Sequence, residues 1–155
     1  QRATIQVAGG FIGVGVIFGA LNAVTFLALT DWWKGTGWQT VPSEIMVAVG
    51  RTAEFVDGIS TWFGTASQAA LAIGFAYLGA AARTDVALPR RLTPIAFAGA
   101  AVLAAMVVIR LLPVDTGPLW DILAFAVGVV IGPAFAWILG RHLGALPPAQ
   151  VDVPA

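Results

Sequence analysis

Four stretches of the chain run with little or no charge for long enough to cross the roughly 30 Å of a bilayer's hydrocarbon, which takes about 20 helical residues. The first covers residues 5–30 and is ended by Asp31, and the second covers 59–82, between Asp57 and Arg83. The third, 94–112, is interrupted near its end by Arg110, and the fourth, 119–140, carries Asp121 in its first turn and Arg141 just beyond. Backbone groups in hydrocarbon must bond to one another, and nothing alternates in the manner of a membrane barrel, so each stretch predicts an α-helix. A secretory signal has an apolar core of about 7–15 residues. The first stretch is longer and predicts a true span. The expectation is an all-α integral membrane protein, a four-transmembrane-helix bundle forming one domain over residues 1–143.

The connection from Asp31 to Gly58 is too long for a tight turn between antiparallel helices. Its first half is punctuated by Gly35, Gly37 and Pro42 and reads as loop. Ser43 is a good N-cap, with Glu44 suited to the positive helix end. At 100° per residue Glu44, Arg51, Glu54 and Asp57 share an arc of about 140°, with Ile45, Ala48, Val49, Phe55 and Val56 opposite. Residues 43–57 therefore predict an outer-side amphipathic helix between the first and second spans. It either lies on the membrane surface or extends the second span, with a bend at the Asp57-Gly58 step. The tail, 144–155, holds Pro147, Pro148 and Pro154 and is expected to be extended or disordered.

Composition sharpens this picture. Hydrophobic residues make up 59% of the 155 and charged ones only 10%, against about a quarter charged in soluble domains. The mean hydropathy is +0.89. Eight basic and eight acidic residues leave no basic footprint, which argues against a nucleic-acid partner. Without cysteine there is no disulfide, thiol chemistry or Cys-ligated metal.

The side bearing the termini collects Arg2, Arg83, Arg90, Arg91 and Arg141 against Asp85 and Asp152, whereas acids dominate the other side. The positive-inside rule places both termini in the cytoplasm, and Ala/Gly/Val/Arg usage points to a bacterial cytoplasmic membrane. Trp32, Trp33, Trp38, Trp62, Trp120 and Trp137 are expected as interfacial anchors, the last two about 25 Å apart along one helix.

Gly9, Gly13, Gly15 and Gly19 form two GxxxG spacings in the first span, and Gly128 and Gly132 a third in the fourth, just before a kinking Pro133. These small residues let helices approach closely. Gly13-Val14-Gly15 has no preceding strand and is not a nucleotide-binding turn. Asn22 and Gln68 read as interhelical hydrogen-bonding groups, with a bound lipid headgroup or quinone as the sharper alternative. Arg110, Asp115 and Asp121, joined by Glu54 and Asp57, form a candidate outer-side ionic cluster.

His142 is the sole histidine, which leaves bis-His haem ligation without parts. Hydrolase, zincin and Walker motifs are absent, so no catalytic, metal or cofactor residue is assigned and an enzyme is not expected. The leading expectation is a non-catalytic accessory subunit that packs, through small-residue helix faces, against other membrane subunits or copies of itself. A small oligomeric transporter or channel using the ionic cluster is the alternative.

Overall fold

The computed structural model describes residues 2–35, 42–85, 88–112 and 117–145, with the backbone alone of Trp32 and Trp33. Trp38, Asp115 and the tail from residue 146 onward lie outside the described residues. Every described element is helical: α1 (Arg2–Gly35), α2 (Ser43–Thr84), α3 (Leu92–Leu111), α4 (Gly117–Phe125), a π-helical segment (Ala126–Ile131) and α5 (Gly132–Gly144). The last three run on without a break, so the chain forms four rods long and apolar enough to cross a membrane. Proline marks the starts. Pro42 precedes α2, Pro89 precedes α3 and Pro118 opens α4, positions where a missing N–H goes unneeded.

Of the two placements open to the connecting segment, the structure shows the extension of the second span. Residues 43–57 are not a separate surface helix but the first turns of α2, a single helix of 42 residues and roughly 60 Å at 1.5 Å per residue. No break occurs at Asp57-Gly58, because Ala53 and Ser60, on either side of that step, are both buried on one face of α2. Ser43 is not the cap either. Pro42, extended at φ −59 and ψ 142, takes that place, and its carbonyl accepts from Ile45 and Met46 N–H at 2.9 and 3.1 Å. The apolar arc of this segment is divided: Val49 and Val56 are half-buried, whereas Ile45 and Phe55 stand exposed.

Packing follows a seven-residue rhythm. Ala8, Gly15, Asn22 and Leu29 recur along α1, and Ala53, Ser60, Ser67, Gly74 and Ala81, all buried, along α2. The two rows meet antiparallel: Gly74 lies against Ala8 and Ile12, Gly15 against Leu71, and Gly19 against Ser67. A strict repeat of seven keeps two helices in contact when they wrap left-handedly about each other. Between apolar helices in lipid the hydrophobic effect supplies no drive, so close approach at small residues has to supply dispersion contact instead.

A second face of α2 carries Thr61, Thr65, Gln68, Ala72, Phe75, Gly79 and Ala82, spaced alternately by four and three. It meets the matching row Leu92, Ala96, Gly99, Leu103 and Met106, all buried, on α3. Ala72, Leu103 and Met106 form a small core, and Trp120, Leu123, Ala124 and Val127 of the fourth rod close over it. Phe75 reaches Phe135 edge-on at 5.1 Å. The tightest packing lies at the α2–α3 turn, where Ala82, Leu92 and Ala96 are wholly buried.

Each rod thus packs chiefly on its neighbour in sequence. α1 has an extensive contact with α2 alone, and no comparable contact joins it to α3 or the fourth rod among the described residues. Large apolar side chains such as Val16, Ile17, Val24, Val129 and Val130 are exposed along both outer rods. At Pro133 the helix widens rather than simply ending. Gly132 N–H reaches back to Val127 O, a π-type bond that accommodates the proline which follows.

Candidate functional site

Arg110 continues the α3 row by one more step of four beyond Met106, which carries it onto α2 and the fourth rod. Its guanidinium donates to the Thr61 hydroxyl at 3.3 Å and lies 4.6 Å from the centroid of the Trp120 ring. These described partners tie three rods together at one end. They are a hydroxyl and an aromatic face, not Asp121, Glu54 or Asp57, whose side chains are exposed. A cation over an indole face is attracted by the ring quadrupole, by about 0.5–1 kcal/mol at an exposed site.

The polar residues within the rods are largely occupied. Ser60 Oγ donates to Asn22 Oδ1 at 2.7 Å, and Ser67 Oγ donates to the Gly15 carbonyl at 2.7 Å. Thr25, Thr30, Thr52 and Thr65 each donate to the carbonyl four residues back, which satisfies a hydroxyl inside an apolar helix. Two atoms are exceptions among the described residues: Gln68 Oε1 and Thr93 Oγ1 are buried with no hydrogen-bond partner. Among the described residues no three His, Asp or Glu side chains gather as a metal site would require.

The glycines of α1 divide between two sides. A Cβ at Gly15 would lie 2.6 Å from Leu71 Cγ and one at Gly19 would lie 3.1 Å from Ser67 Oγ, whereas Gly9, Gly10 and Gly13 have nothing within 4 Å. At about 100° per residue, the Gly9/Gly13 and Gly15/Gly19 pairs point to sides of α1 roughly 120° apart. Gly10 lies with Val7, Phe11 and Val14 in a shallow apolar groove of about 320 Å³ on another exposed flank of α1, roughly 130° round the helix from Gly9 and Gly13. Gly128 also has open space, and Gly132 meets only the Val127 carbonyl of its own helix.

Trp62 and Trp137 are two-thirds exposed, at 68% and 67%, while Trp120 is half-buried between Arg110 and the Ala72–Leu103–Met106 core. Trp120 is thus a packing residue as well as an aromatic at a helix end. The seven-residue rows on α1 and α2 were present in the sequence but masked by the more familiar GxxxG spacing, which falls on both faces of α1. Comparison with protein-family models, curated proteins and solved structures finds no match to this chain.

Proposed function

We propose that this chain is a non-catalytic, multi-pass subunit of a bacterial cytoplasmic-membrane complex that presents the outer face of α1 to a further transmembrane helix. The observation that carries this reading is the two-sided distribution of glycine on α1. One GxxxG pair is filled by α2, and the other, Gly9 and Gly13, stands open on a rod with a single extensive neighbour. Lipid acyl chains fill the notch over such a glycine pair loosely, whereas a second helix with small residues gains close contact there. The arginines near the chain ends and in the α2–α3 turn favour a cytoplasmic location for both termini.

A transporter gated by an outer ionic cluster has less support, because Arg110 is engaged by Thr61 and Trp120. The test is native mass spectrometry of the protein released gently from its own membrane. The wild type is expected in a larger assembly, and Gly9→Leu with Gly13→Leu is expected to release it as a single folded chain with unchanged helicity. An assembly of unchanged mass in the double variant overturns the reading, as does a wild-type chain found alone.

A further inference from the structure

The arginine-rich end of the molecule holds a cleft of about 340 Å³ lined by Pro89, Arg91, Trp137, Ile138, Arg141 and His142. It lies between the turn that starts α3 and the last turns of α5. We propose that this cleft binds the phosphate of an anionic glycerophospholipid, with the acyl chains lying along the bare side of the fourth rod.

Its charge is one-sided. Two guanidiniums and an imidazole line it and no carboxylate does. The neighbouring cleft formed by Arg83, Thr84, Asp85, Leu88 and Arg90 differs, since Asp85 supplies a negative charge of its own. Basic residues in the last turn of a helix ordinarily complement its negative end, which accounts for Arg141 and His142. It does not account for Arg91, which sits at the opposite, positive pole of a different helix, at the N-cap of α3. Neither Arg91 nor Arg141 has a carboxylate partner among the described residues. The Arg141 guanidinium lies 5.9 Å from the Trp137 ring centroid. Stacking of this kind steadies the cation while leaving its N–H edge for a phosphate oxygen.

The apolar half of the cleft selects the lipid over a free phosphate. Trp137 and Ile138 continue into a rod whose most apolar window has no buried residue, with Phe125, Val129 and Val130 exposed along it. A ligand with a phosphate at one end and hydrocarbon at the other matches both halves. Basic pockets between membrane helices bind anionic headgroups in this way. The proposal requires a bilayer but makes no use of the outer face of α1, so it stands or falls apart from the assembly reading.

The experiment uses the delipidated full chain in neutral detergent, titrated with dioleoyl phosphatidylglycerol, dioleoyl phosphatidylcholine or inorganic phosphate, and scored by native mass spectrometry and thermal melting. Phosphatidylglycerol is expected to bind roughly tenfold or more tightly than phosphatidylcholine, whose choline cation cancels the phosphate charge and is repelled by the two guanidiniums. Arg91→Gln with Arg141→Gln is expected to abolish that preference, Arg91→Lys with Arg141→Lys to retain most of it, and Arg83→Gln to leave it intact. All of these side chains are exposed, so the variants keep the fold. Equal binding of the two lipids, or an undiminished preference in the double glutamine variant, overturns the site. Displacement of phosphatidylglycerol by millimolar inorganic phosphate overturns the lipid as its occupant.

Discussion

Gly74 meets Ile12 backbone to backbone: a methyl group on Gly74 would lie 2.7 Å from Ile12 Cγ1, 3.0 Å from Ile12 N and 3.2 Å from the Ala8 carbonyl oxygen. Two of these three atoms belong to the main chain and cannot rotate away. Gly74→Ala is therefore expected to push α1 from α2 and to destabilise the fold by about 1–3 kcal/mol, the usual cost of overpacking. Gly58→Ala is the control. It lies in the same helix with nothing within 4 Å, and removal of a mid-helix glycine there is expected to stabilise by roughly 0.5–1 kcal/mol. Reversible unfolding in mixed micelles measures both, and equal effects would mean that the two helices are not held at Gly74.

The Arg110 contacts predict an asymmetry between its neighbours. Trp120 packs on Ala72, Leu103 and Met106 as well as beneath the guanidinium, so Trp120→Ala is expected to cost about 2–4 kcal/mol, near the range for large aromatic truncation. Arg110→Met removes one hydrogen bond and one ring contact from an exposed side chain and is expected to cost about 1 kcal/mol. Asp121→Asn is expected to change stability by no more than a few tenths. A double-mutant cycle separates the pairs: coupling is expected between Arg110 and Trp120 and none between Arg110 and Asp121. The reverse result would restore the ionic cluster.

Much of this architecture is legible in the sequence, because a chain this apolar has few ways to satisfy its backbone. The four rods follow from the uncharged stretches, with ends within a few residues of those expected for α3 and the fourth rod. The extent of α2 was legible only as one of two alternatives. Residues 43–57 carry a charged arc that suits a surface helix as well as an extension of the second span, and the buried row through Ala53 and Ser60 is what decides for the extension. The Arg110 site shows the same limit. Charge and proximity in sequence favoured carboxylate partners, whereas its place in the four-three row of α3 aims it at Thr61 and Trp120. Only the row spacing carried that signal.

Gln68 supplies a prediction of opposite sign. Its Oε1 is buried without a partner, on the row that faces α3. A buried carbonyl left unpaired costs about 1–3 kcal/mol, whereas an apolar side chain of similar shape carries no such cost. Gln68→Met is therefore expected to raise the melting temperature in detergent. A fall would mean that the amide is satisfied in the membrane by a ligand or a water, and would direct attention to that position.

The register of α1 on α2 can be tested directly because the chain contains no cysteine. A Cβ at Gly19 would lie 3.1 Å from Ser67 Oγ, so Gly19→Cys with Ser67→Cys is expected to place two sulfurs within bonding reach. Mild oxidation should then give an intramolecular disulfide, read as a reducible mobility shift on a gel. Gly13→Cys with Leu71→Cys pairs positions at nearly the same level of the two helices, since Leu71 lies against Gly15, but puts the first thiol on the far side of α1 and is expected to give none. The contrast distinguishes the seven-residue seam from a packing that uses all four glycines on one face. If the Gly13 pair cross-links as readily as the Gly19 pair, α1 rotates against α2 and its outer face is not a fixed surface for a partner helix.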